Sequence, residues 1–271
     1  MSAKRNWFIG CGVGCATVIL VLVIGGAIIG NMFKDKFSGY EDVEDMQCQL
    51  TDRYGEVEDY CPPADGVITS DRINIFLAIQ DSLSVPGAIL AEQWQTLEDA
   101  DSSDDKSFGD VVDLAKSAIG FAATIGDYMA ARNSAQLSLD MSPGEYIYIY
   151  VITYKSWLNL ESAGGLEEMD FESDVVHYSS VTSDDLILQL ECQLGQLSES
   201  DLLYVELAKE IESMKKDSSH TPWQGGLPSE MLTVLEPYRY DLESSYKQSA
   251  AMLGIGLRTE IDDDKFKFEV K

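Results

Sequence analysis

Ser142-Pro143-Gly144-Glu145-Tyr146-Ile147-Tyr148-Ile149-Tyr150-Val151-Ile152-Thr153-Tyr154 supports two opposite readings. Its opening places Ser at a helix N-cap, Pro at the first helical position and Glu at the third, a capping box with the favoured proline. Its remainder alternates Tyr with Ile, a period-two pattern of residues that favour strands. The helix reading is the stronger. The start signal is specific, and the run continues through Trp157 and Leu160 at helical spacing. A tyrosine stripe at that spacing is expected to be core rather than a ligand cage.

On both sides of this stretch the chain reads as helices. Upstream, Thr69 or Ser70 can cap a helix with the stripe Ile73, Phe76, Leu77 and Leu83. Val85-Pro86 interrupts it before a second stretch carrying Ile89, Leu90, Trp94 and Leu97. A long helix from about Ser107 to Leu139 repeats Val111, Leu114, Ala118, Ala122, Ile125 and Met129 every three to four residues. Downstream, residues 166–181 read as an acidic connector. Leu186, Ile187, Leu190, Leu194 and Leu197 then form one face, and Leu203, Leu207, Ile211 and Met214 another, ending in Lys215-Lys216. Those lysines suit the negative end of a helix dipole. Pro228 opens a last helix, which Pro237 is expected to kink. The fold class is therefore all-α, a bundle of about six helices over residues 67–252. Residues 253–271 form an acidic tail that reads either as frayed chain or as a short edge strand.

Ahead of the bundle, Trp7 to Phe33 is 27 residues without a charge. About 20 apolar residues cross a hydrocarbon core, so this run is expected to be a single transmembrane helix, residues 7–33. It is too long for the ~7–15-residue apolar region of a cleaved signal. Cys11 follows too closely on Lys4-Arg5-Asn6 to be a lipidated cysteine. A retained signal anchor results, with residues 1–6 as a cytoplasmic stub and residues 34–66 as an irregular acidic stalk. Lysine and arginine flank both ends almost equally, so the extracytoplasmic placement rests on the usual topology of a single N-terminal anchor. Gly10 and Gly14, and Gly26 and Gly30, put small residues four apart, a spacing that lets membrane helices approach closely and offers a route to self-association.

Composition narrows the function. The chain has 271 residues, 47 Asp+Glu against 19 Lys+Arg, and a net charge of −28. A phosphate backbone repels such a surface, which excludes nucleic acid as a partner. Of five cysteines, Cys11 and Cys15 lie in the apolar run. Cys48 and Cys61 are the disulfide candidates, closing a short loop worth about 3 kcal/mol. Cys192 is then left over, expected to be buried and inert.

Catalytic signatures are missing. Nothing reads Gly-x-Ser-x-Gly or His-Glu-x-x-His, and neither a phosphate-binding loop nor a dinucleotide fingerprint is present. His177 and His220 are 43 positions apart and read as solvated or locally bonded. With 47 acids, no carboxylate pair for glycoside hydrolysis can be singled out. The nearest metal-like string is Asp99, Asp101, Ser103, Asp105 and Asp110, at the oxygen-ligand positions of a calcium loop. Asp104 takes the place of its turn glycine, Lys106 adds a positive charge and Asp110 replaces the bidentate glutamate, so an acidic solvated loop is the better reading. No cofactor is expected. The sequence leads to a membrane-anchored, extracytoplasmic helical protein, non-catalytic and structural or protein-interacting. The alternatives are a small-ligand or calcium-binding helical domain, and after that a hydrolase.

Overall fold

A computed structural model describes residues 38–101, 108–160, 177–180, 183–217, 219–247 and 257–260. The expected membrane helix, with Gly10, Gly14, Gly26 and Gly30, lies outside these residues, as does most of the acidic tail. The regular structure of the described residues is helical apart from one short ribbon. Its helices are α1 (Ser38–Tyr54), α2 (Ser70–Ser82), α3 (Ser84–Asp101), α4 (Phe108–Leu139), α5 (Pro143–Tyr150), α6 (Ser183–Leu194), α7 (Leu202–Lys216), α8 (Ser229–Leu235) and α9 (Arg239–Ser245).

α5 settles the ambiguity of the opening stretch. Ser142 Oγ accepts a hydrogen bond from Glu145 N–H at 3.0 Å, with Pro143 in the first turn. The Glu145 carboxylate does not return to the cap; it pairs with Arg72 instead. Residues 146–154 are all buried, so the helix has no polar face to show a period. From Val151 to Trp157 it widens into a π-helix. Thr153 Oγ1 donates to Ile149 O at 2.6 Å, a side-chain bond that competes with the regular ladder there. Beyond it, Leu158 N–H reaches back five residues to Thr153 O.

α4 is the longest described element, and α1, α2 and α3 pack along it. The expected irregular stalk is thus corrected over much of its length. Residues 38–54 are helix, and Val43 and Leu50, one heptad apart, are fully buried in the bundle. Asn133 on α4 donates to Gln47 between them at 3.3 Å. The stripe is narrow and flanked by Glu44, Asp45 and Asp52, which hide it in the sequence.

Two breaks follow from proline. Pro86 has no N–H to give the preceding turn, and α2 bends by 47° into the Ser84–Gln93 part of α3. Pro237 sits in a 3₁₀ turn, Glu236–Tyr238, between α8 and α9. Among the described residues no single helix is long and apolar enough to cross a membrane. The bent pair passes that test by length and composition, but Ile73, Phe76, Ile79 and Leu90 on it are buried in the core. The ribbon pairs β1 (His177–Ser180) with β2 (Leu257–Glu260) antiparallel, His177 opposite Glu260 and Ser180 opposite Leu257. A strand therefore does form near the chain end, ahead of the Lys265–Val270 alternation that suggested one.

Candidate functional site

The most constructed feature outside the core is where the segment Gly55–Thr69, irregular apart from a 3₁₀ turn at Val57–Asp59, lies against α6. Cys61 and Cys192 form a disulfide, with Cα atoms 5.4 Å apart and 131 positions between them, and Cys48 is free and exposed. This corrects the expected Cys48–Cys61 pair and the buried, inert Cys192. Cys192 sits on the outer, exposed side of α6, beside the docked segment rather than in the core.

Three glutamines of the same helix end continue the attachment. Gln189 Nε2 donates to Val57 O at 2.6 Å and to Gly144 O at 3.2 Å. Gln193 Nε2 reaches Ala64 O at 3.4 Å, and Gln196 Nε2 reaches Pro62 O at 2.8 Å and Cys61 Sγ at 2.9 Å. Gln189 and Gln193 share one face of α6 and Gln196 follows in the turn just past its end, so side-chain amides do for this segment what a β-ladder would do for a strand. Gln189 and Gln193 are fully buried. Their Oε1 atoms, and Glu58 Oε2 on the docked segment, accept no hydrogen bond among the described residues.

Close approach sets the other side. A side chain on Gly144 would lie 2.5 Å from Tyr60 Cβ and would also run into Val57 O. Gly66 takes φ +68°, and its carbonyl accepts from Tyr148 OH at 3.0 Å. Tyr60 packs on Tyr148 with ring centroids 5.9 Å apart, and burial pushes both phenols up from their ordinary pKa.

A charged corner closes the end of the bundle. Asp140, at φ 59°, follows α4 and accepts from Tyr54 OH at 2.6 Å and from Arg53 at 2.7 Å. Those partners, the Tyr54 hydrogen bond foremost, hold its carboxyl below the usual carboxylate range. Tyr54 is pushed up to about 12, first by burial and then by its bond to Asp140. Arg72 joins Glu145 and the Asp140 carbonyl, tying α2 to the α4–α5 turn.

The tyrosines do form a cluster. Tyr146, Tyr150 and Tyr154 follow one another along α5 and its π-turn, with centroids 6.3 Å and then 4.8 Å apart, and Phe76 and Tyr246 pack on them. A cleft among Tyr128, Tyr150, Tyr154, Tyr246, Gln80 and Lys247 measures about 10 Å³, room for roughly one water. Small-molecule sites are more than an order of magnitude larger, so this cluster serves as core.

The metal-like string is only partly described. Asp99 and Asp101 belong to α3 and Asp110 to α4, while Ser103 and Asp105 lie outside the described residues. Among the described residues no group of three or more His, Cys, Asp or Glu gathers to hold a metal. His177 is on β1. His220 bonds locally, its Nε2 lying 3.0 Å from Glu210 Oε2, which also accepts from Trp223 N–H. The glutamine row escaped the sequence reading, although Gln189 and Gln193 interrupt an apolar helix at the spacing of a single face and Gln196 follows just past its end. Comparison with family models, with curated proteins and with solved structures returns no match to this chain.

Proposed function

We propose that this chain is a membrane-anchored, extracytoplasmic helical module that acts by holding a protein partner rather than by catalysis. The observation that carries the reading is the Cys61–Cys192 disulfide, which fits an oxidising compartment beyond the 27-residue apolar run. Buried polar groups favour interaction over chemistry. Gln80 serves Tyr146, Thr153 serves the π-turn, and Gln189 serves backbone carbonyls, so these groups are engaged in holding the fold. Large apolar side chains do reach solvent on α7, where Leu202 and Val205 are 73% and 59% exposed one turn apart.

The test uses the full chain in its native membrane. It should resist alkaline carbonate extraction, and on intact cells Cys48 should react with a membrane-impermeant maleimide. A photo-crosslinker at position 205 should yield a discrete protein adduct. Extraction into the aqueous phase would remove the anchor, protection of Cys48 until lysis would reverse the side, and a crosslinker giving only water-quenched product would remove the partner.

A further inference from the structure

We propose that the Cys61–Cys192 disulfide is a redox-labile clamp that decides whether the segment Gly55–Thr69 lies docked on α6 or is released. The inference goes beyond the anchored-module reading and does not depend on the side of the membrane.

The segment is attached by few regular bonds. Within it the backbone closes only short turns, Asp59 N–H to Glu56 O, Tyr60 N–H to Val57 O and Gly66 N–H to Pro63 O. Its polar attachment to α6 is the glutamine row and the disulfide. The docked state carries a polar penalty, since Glu58 Oε2, Gln189 Oε1 and Gln193 Oε1 all lose water here without gaining a partner among the described residues. Release would return those three oxygens to water. Packing of Val57, Tyr60, Val67 and Ile68 on the core opposes that penalty, and the covalent bond adds to the packing, so reduction shifts the balance towards the open state, as a two-state element under redox control requires.

The bond is also placed for exchange. Cys192 is exposed, Cys61 is half-buried, and Gln196 Nε2 donates to Cys61 Sγ at 2.9 Å. A protein dithiol is the reductant this geometry fits. Its thiolate attacks Cys192 Sγ, the S–S bond breaks, and Cys61 leaves as a thiolate that Gln196 stabilises and that then takes a proton. The second thiol of the reductant displaces Cys192, which leaves as a thiol. Two electrons and two protons pass to this chain, and the partner ends as a disulfide.

Hydrogen exchange on the full-length chain in detergent micelles tests the clamp. The oxidised protein is compared with protein reduced by dithiothreitol and alkylated. Amides of 55–69 should lose protection by about 100-fold or more relative to those of α4, which should remain the slowest. Loss of protection by one common factor in segment and core would overturn the clamp and leave the bond a global staple. So would an unchanged segment after complete reduction. Gln196→Ala reads the exchange step separately. Reduction by dithiothreitol at fixed pH should slow by about 3–10-fold, because the Cys61 thiolate leaves less easily. An equal or faster rate would remove the role given to Gln196.

Discussion

Two residues show how narrowly local geometry constrains this protein. Gly144 is the third residue of the capping sequence, and the space its missing side chain leaves is filled by Tyr60 and by the carbonyl of Val57. Gly144→Ala improves helix propensity yet drives a methyl into backbone that cannot swing away. The expected outcome is a loss of about 1–3 kcal/mol in urea unfolding, with the docked segment displaced. Asp140 tests the charged corner. Its carboxyl titrates below the ordinary range because Tyr54, Arg53 and Arg72 favour the anion. A depressed folded pKa contributes stability that is present above the unfolded value, about 3.9, and is lost as pH falls through the folded value. Asparagine tolerates the left-handed φ of 59° found here, so Asp140→Asn removes charge without straining the backbone. The melting temperature of the native protein should fall more steeply than that of the variant between about pH 5 and pH 2. Parallel curves would show that the corner contributes nothing through charge.

Among the elements, what could be read from sequence depended on whether a helix keeps one polar side. α7 keeps Leu207, Ile211 and Met214 buried on one side and exposed residues on the other, so its apolar spacing located it closely. α5 is buried on every side, and its Tyr-Ile alternation therefore signalled nothing about period; only the Ser142-Pro143-x-Glu145 start identified it. α1 presents the opposite case, two buried aliphatics among acids, and read as stalk. Burial of α5 has a measurable consequence. Tyr146 is pushed up to about 12, and Tyr128, Tyr148, Tyr150 and Tyr154 are pushed up as well, all chiefly by burial. Below about pH 10 both folded and unfolded phenols keep their protons, and stability is unaffected. Above it the unfolded chain loses protons that the folded one retains, so stability falls as pH rises towards the folded values. Tyrosinate absorbance from these residues should appear together with loss of helical circular dichroism. Gradual ionisation with the helix intact would mean that water reaches the cluster.

For the molecule as a whole, the pairing of Cys61 with Cys192 was the feature least accessible to sequence reasoning. Proximity along the chain favoured Cys48, whereas the bond depends on α6 returning to the segment after 131 positions, a product of tertiary packing. The site as a whole was therefore unread, because both its cysteine and its glutamines gain meaning only once the segment lies on the helix. That long separation also sets the energetic scale. In the chain-entropy account the loop restricts the unfolded ensemble by about 5 kcal/mol, compared with about 3 kcal/mol for the short loop expected from sequence. Domains of this kind are stable by roughly 5–15 kcal/mol, so the bond is a large share without being all of it. The double substitution Cys61→Ser with Cys192→Ser should therefore still fold, with urea stability lowered by as much as about 5 kcal/mol. Residual order in the unfolded chain would reduce that figure, and a release of the three orphaned oxygens to water would reduce it further. A loss below about 1 kcal/mol would indicate that the unfolded chain already holds the segment near α6, contrary to a bond that acts across the whole sequence.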